Sequence, residues 1–245
     1  MNTNSNLVLA LSPELELSQL LDYTHPSIEQ LVASKGWNFI QGDASLIREI
    51  FLFVRDEIPY GYTKSFAIPA SRVLSDRMGN GITKSTLFMA LLRAVGIPCR
   101  FQALMMNKII FRGLLSGLCY KISEKHVFRA RVELRFKGTW HLLEEYVIDS
   151  PYIQKLQQKY SNQKGSFFGY GITVLDFRNP DNRWNNNQVF KQNRAIEENL
   201  GSFYTPDDFF SEIPKAESYA KSLRYKTIIR NCLNRSIQKV RDEAW

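Results

Sequence analysis

The run "MGNGITKSTLFMALLRAVGIPCR", Met78 to Arg100, carries the clearest structural signals of the sequence. Its glycines predict a tight turn, and the apolar run that follows predicts a helix that begins at Gly81 and is buried on most sides. Gly-Ile-Pro then ends the helix, because glycine tolerates the left-handed conformation of a helix end and proline cannot continue a helix. The stretch therefore predicts a central helix with a well-defined start and end.

Different patterns flank this helix. Downstream, "RFQALMM" and "HVFRARVELRFKGTWHLLEEYVID" alternate apolar and polar residues, and Lys137-Gly138 fits a two-residue hairpin turn. Upstream, helices are predicted in "SPELELSQLLDY" with Ser12 as N-cap, in "THPSIEQLVASKG" with Ser27 as a cap, and in "DASLIREIFLFVRDEIPY". Helices on one side of an antiparallel sheet define the α+β class.

Composition narrows the protein class. The 245 residues carry a net charge of +8, which either attracts an anionic partner or only improves solubility. No run reaches the ~18 to 20 apolar residues of a membrane span, and the first residues lack a signal-peptide pattern, so a cytoplasmic location is predicted. Cys99, Cys119 and Cys232 are odd in number and lack CxxC spacing. They are interpreted as small core residues, and neither a disulfide framework, a metal nor a cofactor is predicted.

The central motifs resemble a known family. The run "PASRVLSDRMGNGITKSTLFMALLRAVGIPCRF", followed by His126 and "VELRFKGTWHLLE", resembles the core of the transglutaminase-like branch of the papain-like cysteine peptidase superfamily. Further segments, "LDYTHPSIEQL", "VRDEIPY", "FFGYGITVLDFRNP" and "KQNRAIEENLGSFYTPDDFF", resemble one bacterial subgroup. The residues that match the family pattern are Ala70, Ser71, Leu74, Gly79, Leu91, Leu92, Arg93, Ala94, Gly96, Ile97, Pro98 and Arg100.

The resemblance implies three parts of the chain. Residues 1–62 form an N-terminal helical part, and residues 63–150 form the transglutaminase-like core. Residues 151–245 form an extension that packs on the core and ends in a basic helix. The implied architecture is a papain-like domain with its central helix packed on an antiparallel sheet.

The family's chemistry implies a specific site. A cysteine at a helix N-terminus has its thiolate favoured by the helix dipole, a histidine moves the proton, and a carboxylate orients the histidine. Counted back from Arg93 and Gly96 at the family's spacing, the cysteine position is Gly81, which has no side chain to attack a carbonyl. Thr83 and Ser85 offer hydroxyls on the first turns, and such a nucleophile would need a base within reach.

The other two members of the site have candidates. His126 is the candidate histidine; it lies seven residues before Glu133, where the family has about four. Spacing from the tryptophan of the second strand selects Glu144 as the carboxylate. Hairpin geometry selects Asp149 instead, because a turn at Lys137-Gly138 would place His126 opposite Asp149. Both carboxylates stay candidates.

The predicted function is that of a pseudoenzyme. It would keep the cleft of a Cys-His-Asp/Glu enzyme and bind a protein, peptide or amide ligand. One alternative is a cysteine-less variant of an active cysteine hydrolase or amide acyltransferase. Another is an anion- or nucleic-acid-binding module, because residues 215–245 carry eight Lys or Arg against three Asp or Glu. A packed helix with a solvated basic face is favoured there, so nucleic acid is not the expected partner.

Overall fold

A computed structural model describes residues 12–174, 176–179 and 195–243. The prediction about the first residues of the chain therefore lies mostly outside the described part, as does part of the last segment of the bacterial resemblance. The helices of the described residues are α1 (Pro26–Ser34), α2 (Asp43–Leu52), α3 (Ala70–Asp76), α4 (Gly81–Ala94), α5 (Gly117–Ile122), α6 (Ser150–Lys159), α7 (Pro206–Glu212), α8 (Pro214–Lys221) and α9 (Arg230–Asp242).

The strands form two antiparallel sheets. Their bounds are β1 (Cys99–Asn107), β2 (His126–Phe136), β3 (Thr139–Leu143), β4 (Phe167–Gly169), β5 (Ile172–Val174) and β6 (Ile196–Phe203). The larger sheet has the order β3-β2-β1-β6, and β4 pairs with β5. Helix α4 packs against β1 and β2. The predicted α+β class, with a central helix on an antiparallel sheet, is confirmed.

Helix α4 begins and ends where its sequence requires. The Asn80 side chain accepts hydrogen bonds from the backbone N–H groups of Ile82 and Thr83, and the Thr83 hydroxyl accepts from the Asn80 N–H, which completes a capping box. At the other end Gly96 has φ +80°, and the N–H groups of Gly96 and Ile97 bond to carbonyls of the last turn. Every residue from Gly81 to Arg93 is buried.

The hairpin forms as predicted, but it is shorter than predicted. Lys137 and Gly138 both have positive φ, as a type I′ turn requires, and Phe136 pairs with Thr139. The ladder ends at the pair Val132 and Leu143. The predicted pairing of His126 with Asp149 is therefore wrong, because β3 stops before Asp149 and the chain turns into α6.

The N-terminal helices are partly as predicted. Helices α1 and α2 are confirmed, with His25 rather than Ser27 as the N-cap of α1. The helix predicted from Ser12 is wrong, because only a 3-10 turn, Pro13–Leu15, forms there. The Glu16 carbonyl accepts a hydrogen bond from the Arg93 guanidinium instead of continuing a helix.

The C-terminal helix packs on the rest of the domain. Leu233, Ile237 and Val240 of α9 are buried, and Cys232 at its start forms a disulfide with Cys119 of α5. The interpretation of these two cysteines as unpaired core residues is therefore wrong. The two positions are 113 residues apart in the sequence, but the fold brings them close enough to bond. Cys99 is free and buried. Over the described ranges, no helix combines the length and apolar character needed to cross a membrane.

Candidate functional site

A pocket lies at the N-terminus of α4, and it is called the α4 pocket below. Asn80, Gly81 and Arg129 form a polar part of its lining, and aromatic side chains form much of the rest. Its volume is about 30 Å³, which is room for two or three water molecules at ~10–15 Å³ each. The aromatic residues among those that line it are Tyr60, Tyr62, Phe66, Phe111, Phe128, Tyr219 and Tyr225.

Arg129 occupies the space in front of Gly81. A Cβ atom placed on Gly81 would lie 2.8 Å from Cγ of Arg129 and 3.5 Å from its Nε. Gly81 is helical and does not have a positive φ, so its backbone would accept a side chain. The stem of Arg129, rather than backbone strain, therefore limits the space for a side chain at position 81.

The start of α4 presents hydrogen-bond donors at this place. The backbone N–H groups of Ile82 and Thr83 bond to the Asn80 side chain, and the Lys84 N–H bonds to the Asn80 carbonyl. The N–H of Gly81 has no partner among the described residues. A backbone N–H without a partner at a helix start is a donor suited to a negatively charged oxygen.

His126 lies away from the α4 pocket. Its Nδ1 pairs with the carboxylate of Glu197 on β6, and its side chain is 41% exposed. It lies three positions before Arg129 on β2, about 10 Å away at ~3.3 Å per residue, and this odd spacing points the two side chains to opposite faces of the sheet. The structure thus brings Arg129, and not His126, to Gly81.

The two candidate carboxylates also have other partners. Glu144 lies 3.7 Å from the guanidinium of Arg131, whose pKa is lowered by burial and partly restored by that carboxylate. Asp149 caps α6 and forms an ion pair of 2.6 Å with Arg241 of α9. Burial tends to raise the pKa of Asp149, but the hydrogen bonds and charge of Arg241 outweigh it and hold the pKa low. Neither carboxylate lines the α4 pocket.

The remaining candidate nucleophiles either have hydrogen-bond partners already or lie away from the α4 pocket. Thr83 accepts the Asn80 N–H, and the Ser85 hydroxyl donates to the Gly81 carbonyl and bonds to the Tyr146 hydroxyl at 2.6 Å. Neither hydroxyl contacts an imidazole or carboxylate in the described part of the chain. Cys99 follows the far end of α4, and burial raises the pKa of its thiol to about 11. Such a thiol stays protonated and inert.

The tyrosines of the pocket are neutral phenols. The hydroxyls of Tyr60 and Tyr62 bond to each other at 2.7 Å, and burial raises the pKa of Tyr60 to about 12. Burial also raises the pKa of Tyr219. These groups can donate hydrogen bonds to a ligand, but they do not supply a base at neutral pH. In the described ranges no group of three or more His, Cys, Asp or Glu side chains could hold a metal ion.

Sequence reasoning missed Arg129, although a signal for it was present. Arg129 lies four residues before Glu133, which is the spacing that the family has between its histidine and that glutamate. The sequence favours His126 only because histidine is the residue type that the resemblance implies. The spacing and the contact with Gly81 together select Arg129, rather than His126, as the β2 side chain that faces Gly81.

Comparisons with known proteins give a family match and a similar solved structure. Residues 34–144 match the family model described as the transglutaminase-like superfamily, which confirms the resemblance over that segment. The solved structure of a proposed cysteine protease from Cytophaga hutchinsonii is 22% identical, with a TM-score of 0.42. The match covers 56% of this chain and 44% of that one, so it spans less than half of the solved protein. A comparison with curated proteins finds no match.

Proposed function

We propose that this protein is a pseudoenzyme with a transglutaminase-like core, which binds a protein, peptide or amide ligand in the α4 pocket without cleaving it. The observation that carries the proposal is the contact between Gly81 and Arg129. The position of the nucleophile has no side chain, and the position of the base holds a guanidinium that stays protonated in proteins. Neither half of the nucleophile–base pair can operate.

Arg129 also argues against a cysteine-less variant of an active enzyme. Loss of a cysteine alone would leave a histidine beside the helix N-terminus, ready to activate a restored thiol. Here the stem of Arg129 fills the space that the thiol would need. Two positions of the site therefore depart together from the family's chemistry, which supports a changed function rather than a single lost residue.

Enzyme assays of the unmodified protein test this proposal. We expect no hydrolysis of peptide amides and no transfer of glutamine side-chain acyl groups to amines above the rate without protein. Iodoacetamide at about pH 6 should label no residue of the α4 pocket, as read by peptide mapping. Turnover that is abolished by Arg129→Met or Asn80→Asp would overturn the proposal, because it would place catalysis in the same pocket.

The basic C-terminal segment does not lead to a second function. Its charges are partly paired, since Lys221 contacts Glu217 at 2.8 Å and Arg241 contacts Asp149. The apolar face of α9 is buried in the domain. Nucleic acid is therefore not proposed as a partner. A cytoplasmic location remains a proposal, and the state of Cys119 and Cys232 in the cell tests it.

A further inference from the structure

Three buried donors without partners line the α4 pocket. They are Nδ2 of Asn80, Nε of Arg129 and the hydroxyl of Tyr219. Asn80 is only 3% exposed, and its Oδ1 is already used to cap α4, so its amide N–H₂ group is left for another acceptor. Buried donors are nearly always hydrogen-bonded in folded proteins. A cluster of three in one pocket therefore indicates a ligand that accepts hydrogen bonds.

The charges around these donors point to a negatively charged acceptor. The guanidinium of Arg129 lies against the first residue of α4, where the helix dipole is positive. A cation at this end of a helix is unfavourable unless an anion accompanies it. No Asp or Glu side chain lines the pocket, and Arg129 forms no ion pair with any carboxylate of the described residues. The protein thus presents two positive groups together and supplies no anion of its own.

We propose that the α4 pocket binds a carboxylate group, held by the Gly81 N–H, Asn80, Arg129 and Tyr219. This inference rests on the proposed function, and it narrows the ligand of the same site to one that carries a carboxylate, which excludes a neutral amide. A carboxylate has two acceptor oxygens and no donors, which matches a lining of unpartnered donors. A volume of about 30 Å³ suits this small group better than a phosphate. Because this volume admits only the carboxylate group itself, the remainder of the ligand lies outside the pocket.

Binding of paired acids and amides tests the proposal. Acetate and benzoate are titrated into the protein, and binding is followed by protein NMR. Acetamide and benzamide have the same shapes without the charge, and they serve as matched controls. We expect pocket resonances to shift with the acids and not with the amides. Equal binding of benzamide and benzoate would overturn the carboxylate assignment. Binding of benzamide alone would overturn it as well.

Three matched variants test the assigned donors. Asn80→Asp keeps an N-cap oxygen for α4 but replaces the free N–H₂ group by a negative charge, so we expect at least a tenfold loss of acid binding. Arg129→Met keeps the apolar stem and should also lose about tenfold. Tyr219→Phe should lose about threefold or more. Arg100→Met is the control, because Arg100 also has an unpartnered buried Nε but lies outside the pocket.

Peptides distinguish between two sources of the carboxylate, a peptide C-terminus and a free organic acid. A short peptide that ends in phenylalanine is compared in its free-acid and C-terminally amidated forms. If the free-acid peptide binds and acetate and benzoate bind only weakly, the carboxylate is that of a peptide C-terminus. If the small acids bind, it is that of a free organic acid. Both results support the proposal. The protein could prove inactive in the amide assays and also bind none of these carboxylates. That result would overturn the carboxylate assignment and leave the pseudoenzyme proposal intact.

Discussion

The Nε atom of Arg129 lies 3.5 Å from the point that a Cβ atom on Gly81 would occupy, and Cγ of Arg129 lies only 2.8 Å from that point. The glycine and the arginine therefore depend on each other. The arginine reaches the start of α4 only because residue 81 has no side chain. Glycine is tolerated at a helix start because Asn80 supplies a strong cap.

A double-mutant cycle at these two positions measures this dependence. Gly81→Ala alone should destabilise the protein by about 1 kcal/mol, because overpacking against Arg129 outweighs the better helix propensity of alanine. In an Arg129→Ala background the same change should stabilise it by up to ~1 kcal/mol. Urea unfolding gives both values. An interaction energy near zero would mean that the two side chains do not compete for the same space.

Introducing a cysteine at position 81 and a histidine at position 129 tests the proposed geometry of the pocket. In the variant Gly81→Cys with Arg129→His, the introduced thiol sits at a helix N-terminus beside an imidazole, so its pKa should fall below the ~8.5 of a free cysteine. Iodoacetamide should then label it at about pH 6, while Cys99 stays buried and protonated.

The control for this variant is Gly81→Cys with Arg129→Ala, which keeps the helix dipole and lacks the imidazole. Its labelling rate should rise with pH at a higher midpoint than that of the imidazole-containing variant. Identical pH profiles for the two variants would show that position 129 does not face the introduced thiol.

The sequence was sufficient to predict the central helix and the turn of the hairpin, because the signals for both are local. Gly96 and Lys137-Gly138 require particular backbone conformations, and the apolar run of α4 has no alternative to burial. Strand β6 was missed for the opposite reason. It is an edge strand with mostly exposed residues, so it has little apolar alternation, and its pairing with β1 is a tertiary contact.

The position of the candidate site on α4 stays a prediction, and the side chains predicted as its partners do not line the α4 pocket. Asp149 was assigned to the hairpin, although Asp149-Ser-Pro is also the pattern of an N-cap followed by a first-turn proline. Arg241 could not be inferred as its partner, because 92 residues separate the two side chains. Tyr219 has no sequence signal for a place in the pocket, since only the packing of the C-terminal segment brings it there.

The disulfide makes a prediction about stability and location. Closing a loop of about 100 residues stabilises a folded protein by up to ~4.7 kcal/mol in the chain-entropy description. Cys119→Ser with Cys232→Ser should therefore lower the urea midpoint, whereas Cys99→Ala tests only packing. Rapid alkylation of intact cells, followed by mass spectrometry, gives the state of the pair in the cell. A fully formed disulfide there would contradict the proposed cytoplasmic location.

The ion pair between Asp149 and Arg241 should hold α9 to the core. The Asp149 side chain is 1% exposed, and it also accepts hydrogen bonds from the backbone N–H groups of Tyr60 and Tyr152. Arg241→Met should cost about 3–5 kcal/mol, because it leaves a buried carboxylate without its cation. Lys221→Met, which breaks an exposed pair, should cost no more than ~0.5 kcal/mol.

Acid titration gives a second measure of this pair. The pKa of Asp149 is depressed in the folded protein, so its stabilising contribution is present above the ordinary aspartate pKa and is lost as pH falls through the lower folded value. Stability should therefore fall below about pH 4. This acid loss should be smaller in Asp149→Asn with Arg241→Met. An unchanged acid transition in that variant would assign the loss to other carboxylates.

Lys84 predicts a change of stability at neutral to alkaline pH rather than at acid pH. It is fully buried on α4, where its Nζ donates to the Arg55 carbonyl at 3.1 Å. Burial lowers the pKa of Lys84 to about 7; the carboxylates of Asp149 and Asp56 oppose this shift, and the guanidiniums of Arg241 and Arg55 add to it. In the unfolded chain the pKa returns to about 10.4.

The sign of the pH dependence follows from these two pKa values. Below about pH 7 the lysine is protonated in both states and the cost of burying its charge is constant. Between pH 7 and about 10.4 the unfolded chain holds a proton that the folded protein has released, so stability rises with pH by up to ~1.4 kcal/mol per unit. Urea unfolding at pH 7, 8, 9 and 10 should show a steeper rise for the unmodified protein than for Lys84→Met. Because all other titrating groups are shared, parallel curves would mean that Lys84 keeps its charge in the core, paired with the carboxylates around it.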